Sequence, residues 1–502
     1  MPSPIAQLES FGAIDAETDF RPDFFVPSTS WERTRNKQHP IVIGRKGTGK
    51  TALRKALLDL AESDPMMFAR DLGFRDYPWN VHYGIVDSEV GGRSRYLETW
   101  LFLMLVELAK LRLGEDATGP EGPDGIALAS GVEDFIKKNW GSLTFDHKDT
   151  FRASEYEVTK SLRPQVAGTG LGTIDWKRVP RGRLGDSLNA MNRWLKEALS
   201  SLLRRDCEYF LIFDELDLDF DRRDDQYLDS MIGLVLAAQN LFLWVRELGI
   251  DATPVVLLRD DIYRGLQFPD KNKITHSLVE TIYWESTSDG PNSLKTVVDT
   301  RIRALLDKPK ANDPWSLVFD DEVMRGTQHK YLHMVQRTYL RPRDIIQFAN
   351  YCLDEAKGRT AVELSDSDRI RNEDITSARV PYSGYLRAEL GDEIFAHHEN
   401  WEQWLELLRR VGTLTFGGER FEEVWAESPE LAKEEGVGPT SILESLYEFG
   451  VVGFGRRGGA GRGGTDEYWS FKDPEVTFDP RAPFFKVHLG LKENLDLKEE
   501  RR

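Results

Sequence analysis

Short unbroken apolar runs alternate with helical patterns through the first three hundred residues. Ile41–Ile43 and Tyr209–Phe213 read as strands buried on both faces. Val255–Leu258, ending at Arg259, reads as another, the stretch Val81–Val90 as a further one, and HSLVETIYW (276–284) as a fifth. Between them Leu53, Ala56, Leu57 and Leu60 fall on one helical face. Arg95–Leu113 predicts an amphipathic helix, and Asp225–Leu248 a buried one. Alternating strands and helices predict an α/β class with a mostly parallel five-stranded sheet. From Ser293 to about Gly391 the periodicity is helical, and one helix starts near Pro342, where proline suits a first turn. In the last hundred residues NWEQWLELLRRVG (400–412) and GPTSILESLYEFGVVG (438–453) predict helices. GVVGFG (450–455) and EYWSF (467–471) predict strands joined by the basic, glycine-rich RRGGAGRGGTD. Helices followed by such a hairpin predict a winged helix.

The strand at Ile41–Ile43 runs into Gly44-Arg45-Lys46-Gly47-Thr48-Gly49-Lys50-Thr51, followed by Ala52 and a helix. This is G-x-x-x-x-G-K-[ST] in its required strand–loop–helix setting. The glycines free the backbone to turn its amides towards phosphate oxygens. Lys50 brings a positive charge to the β- and γ-phosphates, and Thr51 offers a hydroxyl to magnesium. The loop therefore predicts a nucleotide site made of residues 44–52.

A nucleotide hydrolase of this kind also needs an acid at the end of a strand beside the loop's strand. EYFLIFDELDLDFD supplies Asp214 there, as the magnesium carboxylate. Glu215 follows directly and suits the general base for a lytic water. Asp217, Asp219 and Asp221 read as solvated or capping residues, and the run lacks the glycine that a calcium loop requires. Lys50 and Asp214 stand 164 positions apart, more than one strand and one helix need. Residues 114–185 therefore form a helical and loop insertion, whose GEDATGPEGPDG and VAGTGLG suggest a flexible loop.

The opening FGAIDAETDF, the loop IGRKGTGKTAL, FDELDLDFD, and LRDDIYRGLQFPDKNKI with LRPRDIIQF together resemble a known group. They are similar to the additional-strand, catalytic-glutamate division of P-loop ATPases, in which an extra strand lies between the two motifs. Within it the chain resembles AAA+-like and KAP- or STAND-like bacterial ATPases. It resembles most a bacterial family with some members in genome regions linked to phage defence. The resemblance implies ATP and Mg2+ as ligands. It also implies a sensor-1 position at Arg259, where an arginine departs from the usual polar uncharged residue. Arg341 or Arg343, at the start of the lid helix, would be the sensor-2 arginine touching the γ-phosphate. Arg264 is placed where an arginine finger would stand, but it reads better as a surface residue.

The expected organisation is then a segment (1–39) packing on the core, a P-loop core (40–290), a helical lid (291–391), a winged-helix-like domain (392–490) and a charged tail (491–502). Composition changes this picture little. With 66 basic and 84 acidic residues the formal charge is −18, which argues against a chain-wide grip on nucleic acid. The local cluster Arg456, Arg457 and Arg462 would be the place for DNA phosphate, although Glu444 and Glu448 on the preceding helix oppose it. Cys207 and Cys352 fit neither a zinc site nor a disulfide framework. The first residues lack a signal-peptide pattern, and Met231–Val245 is too short an uncharged stretch to span a bilayer. The expectation is a cytoplasmic ATPase without a membrane partner. Its hydrolysis would drive a conformational or oligomeric switch that controls a partner protein or a homo-oligomer. The alternative is a DNA-binding initiator or loader that uses the winged helix.

Overall fold

The computed structural model describes residues 3–86, 96–116, 119, 122–159, 176–218, 220, 224–360, 368–431, 437–457 and 465–499. The chain divides into two compact units. One comprises Met1–Val26, Lys46–Gly49 and Tyr283–Arg502, the other Pro27–Arg45 and Lys50–Ile282.

The second unit is built on five parallel strands: β1 (Ile41–Gly44), β2 (Met67–Gly73), β3 (Glu208–Asp214), β4 (Asp251–Arg259) and β5 (Val279–Thr281). Their order is β2-β3-β4-β1-β5. β3 is not beside β1, because β4 pairs with both, which agrees with the extra strand that the resemblance implies. The second strand is also not Val81–Val90. Trp79–Tyr83 is a short helix and residues 84–86 a turn, while 87–90 lie outside the described residues. The strand is Met67–Gly73 instead, an edge strand whose Arg70 and Asp71 hide it from a search for apolar runs.

The helix Leu97–Lys110 is not amphipathic. Every residue from Thr99 to Lys110 is buried, since the helices Gly185–Leu202 and Asp225–Glu247 both pack on it. Its two buried charges answer each other: Lys110 Nζ lies 2.7 Å from Glu107 Oε1, and Arg70 Nε 3.4 Å from Glu107 Oε2. Asp225–Glu247 is long and apolar enough to cross a membrane, yet it lies in the core against Leu97–Lys110 and β4. The insertion carries the helix Gly122–Trp140 and a hairpin of Glu155–Thr159 with Trp176–Pro180. Phe135 stacks on Trp176 at 5.8 Å and meets Trp194 edge-on at 5.5 Å, so this part joins the main core. The VAGTGLG stretch lies outside the described residues.

In the first unit, helices from Leu294–Leu305 to Pro342–Thr360 and Asn372–Ile394 form the helical region. The N-terminal segment is divided between the two units. Residues 3–26 belong to this unit: Arg301 donates to the carbonyls of Phe11 and Ala13, and Asn350 Oδ1 accepts from Phe11 N at 2.7 Å. Only the part from Pro27 onward belongs with the sheet, where Ser30 and Arg33 bond to the buried Glu280 of β5.

The last region holds the helices Trp401–Val411, Gly418–Ala426 and Pro439–Glu448. Its antiparallel sheet has Thr465–Tyr468, Val452–Arg457, Phe484–Val487 and Thr415–Phe416 in that order. The expected tail is part of this domain: Leu491, Leu495 and Leu497 are buried, and Lys498 O accepts from Leu414 N.

Gly233 marks the closest approach in the second unit's core. A Cβ there would meet Tyr96 Cβ at 2.6 Å and Tyr96 C at 2.8 Å. We expect Gly233→Ala to cost about 1–3 kcal/mol, as overpacking does, read from chemical denaturation followed by tryptophan fluorescence.

Candidate functional site

β1 ends at Gly44 and the helix Lys50–Ser63 begins six residues later, so the intervening loop must turn sharply. It does so through Gly47 at φ +82° and Gly49 at φ +103°, values that a side chain disfavours. Gly47 is also held by space, because a Cβ would stand 3.1 Å from Arg343 Cβ. Lys50 folds its amine back onto the loop, donating to the carbonyls of Gly44 at 2.8 Å and Arg45 at 3.2 Å. Burial of the amine lowers its pKa, while Asp217 and Asp214 draw it back up. Arg45, Lys46, Thr48, Thr51 and Ala52 complete the loop and first helical turn.

Asp214 closes β3 and is buried. Burial pushes its carboxyl up to about 6, against the pull of Arg54, of the Glu215 amide and of Lys50. Oδ1 accepts from Glu215 N at 2.8 Å; the buried Oδ2 accepts no hydrogen bond and faces Arg54 Nε at 3.5 Å. A left-handed glycine loop, an amine within electrostatic reach of a carboxylate, and a buried carboxylate oxygen without a donor together fit a nucleotide with its magnesium. Asp214 and Thr51 would hold the ion. Among the described residues no cluster of three or more His, Cys, Asp or Glu forms a separate metal cage.

Glu215 takes a left-handed backbone, φ +59°, unusual for a residue with a side chain. Its Oε1 accepts from Arg75 Nη2 at 2.9 Å, and its Oε2 would lie 3.1 Å from a Cβ added to Gly73. Arg259, expected at a sensor position, is buried and bidentate to Asp261 at 3.0 and 2.6 Å, with Asp217 Oδ2 at 3.6 Å. Asp217 is therefore part of this charge network while remaining partly exposed.

The two lid arginines differ. Arg341 is 1% exposed; its Nε bonds Asp344 and its Nη1 reaches Glu393 and the carbonyl of Lys46. Arg343 lays its stem over Gly47 and pairs with Glu389 at 3.0 Å, remaining partly exposed. Lys46 itself pairs with Asp392 at 2.5 Å. Arg264 pairs with Asp260 at 3.0 Å and is half exposed. In the C-terminal hairpin Arg456 faces Asp479 at 3.5 Å and lies over the rings of Phe454 and Tyr468. The side chain of Arg457, and Arg462, Asp219 and Asp221, lie outside the described residues.

Sequence reasoning missed Arg54, Arg75, Glu389, Asp392 and Glu393. Arg54 was findable, since it follows Lys50 by four positions and so shares its helix face. The others carry no local signal.

The strand order, the loop after β1 and the acidic pair after β3 make this an α/β P-loop NTPase fold. Residues 292–391 match the family model of the FunZ-associated C-terminal helical domain, a span that includes Arg341, Arg343 and Glu389. No curated protein sequence matches the chain. Among solved structures it is similar to the Orc1 protein of Aeropyrum pernix in complex with DNA, at 15% identity and a TM-score of 0.35, over 93% of this chain and 91% of that one. It is also similar to Cdc6p of Pyrobaculum aerophilum, at 15% identity and a TM-score of 0.27, over 97% of each chain.

The arginines should separate in stability. Arg341→Ala leaves Asp344 and Glu393 buried without their cation and should cost about 3–5 kcal/mol. Arg343→Ala should cost no more than about 2 kcal/mol. Denaturant titration of both variants checks the contrast.

Proposed function

We propose that the chain is a magnesium-dependent ATPase of the AAA+ kind, whose turnover drives a conformational switch. The observation that carries this reading is the left-handed glycine loop with the Lys50 amine folded onto it at the end of β1, together with Asp214 and Glu215 at the end of β3. Loop amides of residues 44–51 would bind the phosphates. Lys50 would leave the carbonyls of Gly44 and Arg45 for the β- and γ-phosphate oxygens, a trade of neutral acceptors for charged ones. Magnesium would supply positive charge that offsets the charge of the phosphates. Thr51 and Asp214 would hold it, and Glu215 would take the proton of the attacking water. Arg343, partly exposed beside Gly47, suits the γ-phosphate better than Arg341, which is committed to Asp344 and Glu393.

The same reading makes the last domain a winged helix, with three helices and an antiparallel hairpin in the expected order. The output would be control of a partner protein or of self-assembly, including a role in bacterial antiphage defence. DNA binding through this domain is the competing output, and the ion pair of Arg456 with Asp479 weighs against it.

The test is phosphate release with magnesium and ATP, with and without duplex DNA. Lys50→Ala should lose nucleotide binding. Glu215→Gln should keep binding and lose turnover by about 100-fold or more. Wild-type protein that binds ATP without releasing phosphate in either condition would sink the reading. A DNA-dependent rate would favour the initiator output.

A further inference from the structure

Among the described residues, the insertion reaches the nucleotide site's acid pair through the tripeptide Gly73-Phe74-Arg75, at the end of β2. On one side of it stands the insertion segment Phe145–Lys148. His147 Nε2 donates to the carbonyl of Gly73 at 2.9 Å, and Lys148 Nζ donates to the carbonyl of Arg75. The His147 ring meets Phe74 edge-on at 5.3 Å, and its Nδ1 lies 3.1 Å from Asp146 Oδ1. The segment is itself anchored, since the buried Lys110 donates to the carbonyl of Phe145 at 2.7 Å. On the other side stands the acid pair. Phe74 N donates to Asp214 O at 3.0 Å, Phe74 stacks on Phe213, Gly73 lies beneath Glu215, and Arg75 donates to Glu215 Oε1.

The sheet order gives this contact a direction. β2 flanks β3 on the side away from β4 and β1, the strand that carries the phosphate loop. A Glu215 carboxylate bonded to Arg75 and resting over Gly73 is therefore turned towards β2, with one oxygen occupied by a guanidinium. A base for a water attacking phosphate must turn the other way and free that oxygen.

We propose that Phe145–Lys148 is a positioning latch. It fixes Gly73–Arg75, and through Arg75 it holds Glu215 off the phosphate side, so that release of the insertion raises turnover. Arg75, His147 and Lys148 are positioning residues and do not touch nucleotide. The proposal rests on Glu215 being the base.

Steady-state ATP hydrolysis by the full chain tests it, with nucleotide binding measured for every variant by a fluorescent ATP analogue. Arg75→Ala should raise kcat by about two- to five-fold, the factor that an exposed ion pair supports, and leave KM for ATP unchanged. Lys148→Met should raise kcat in the same way, and Lys148→Arg should keep the wild-type rate. Lys148→Met should add nothing in the Arg75→Ala background, because both break one chain of contacts. An unchanged or lower kcat for Arg75→Ala, equal effects of Lys148→Met in both backgrounds, or loss of nucleotide binding along with the rate would each overturn the latch. Glu215→Gln separates the two readings. If that variant still turns over, the base assignment fails. If it is dead while Arg75→Ala shows no rise, only the latch fails.

Discussion

Lys50 and Asp214 bring opposite charges to the carboxyl ends of two buried strands, and neither charge is stable there alone. Burial lowers the amine's pKa and raises the carboxyl's, and each group counters the shift of the other. Neither depends on the other alone, since Asp217 also supports the amine and Arg54 the carboxylate. The neighbouring residues answer the same need. Arg54 faces Asp214 from the helix that Lys50 begins, and also lies 3.5 Å from Asp71. Arg259 is balanced by Asp261 and Asp217. The site is a charge network in which Asp214 Oδ2 keeps an acceptor without a hydrogen bond, and that oxygen is the chemistry a cation needs.

The lid arginines follow a related division of labour. A guanidinium surrounded by Asp344, Glu393 and a loop carbonyl is satisfied and rigid, so Arg341 organises its surroundings. Arg343 has one carboxylate partner and a stem lying on a glycine. Of the two, Arg343 has the fewer commitments and is the freer to change partners. Glu215 is poised likewise. Its left-handed backbone and its pairing with Arg75 both restrain its side chain.

How much of this was legible depended on the range of the signal. The phosphate loop, the acid pair and strands β1, β3, β4 and β5 are written in short stretches where spacing alone encodes the chemistry or the burial. The helices Asp225–Glu247, Pro342–Thr360 and Trp401–Val411 and the hairpin at Val452–Tyr468 were legible in the same way. β2 was not, because an edge strand buries too little for an apolar run and Arg70 and Asp71 find their partners on the helices Leu97–Lys110 and Lys50–Ser63. The helix Leu97–Lys110 looked one-sided because its buried Glu107 and Lys110 count as polar in a periodicity, although they neutralise each other in the core.

The amino-acid sequence by itself determined that residues 44–51 form a phosphate-type loop between a strand and a helix, and that Asp214 and Glu215 end a buried strand. Those are local properties of backbone freedom and apolar patterning. Tertiary structure alone decided that the edge strand is Met67–Gly73 and that the insertion packs into the core. It also decided that Arg341 is buried while Arg343 is not, and that Glu215 faces Arg75. Each of those is a choice of partner over a long chain separation, set by which surfaces exclude water together, and no local spacing specifies it.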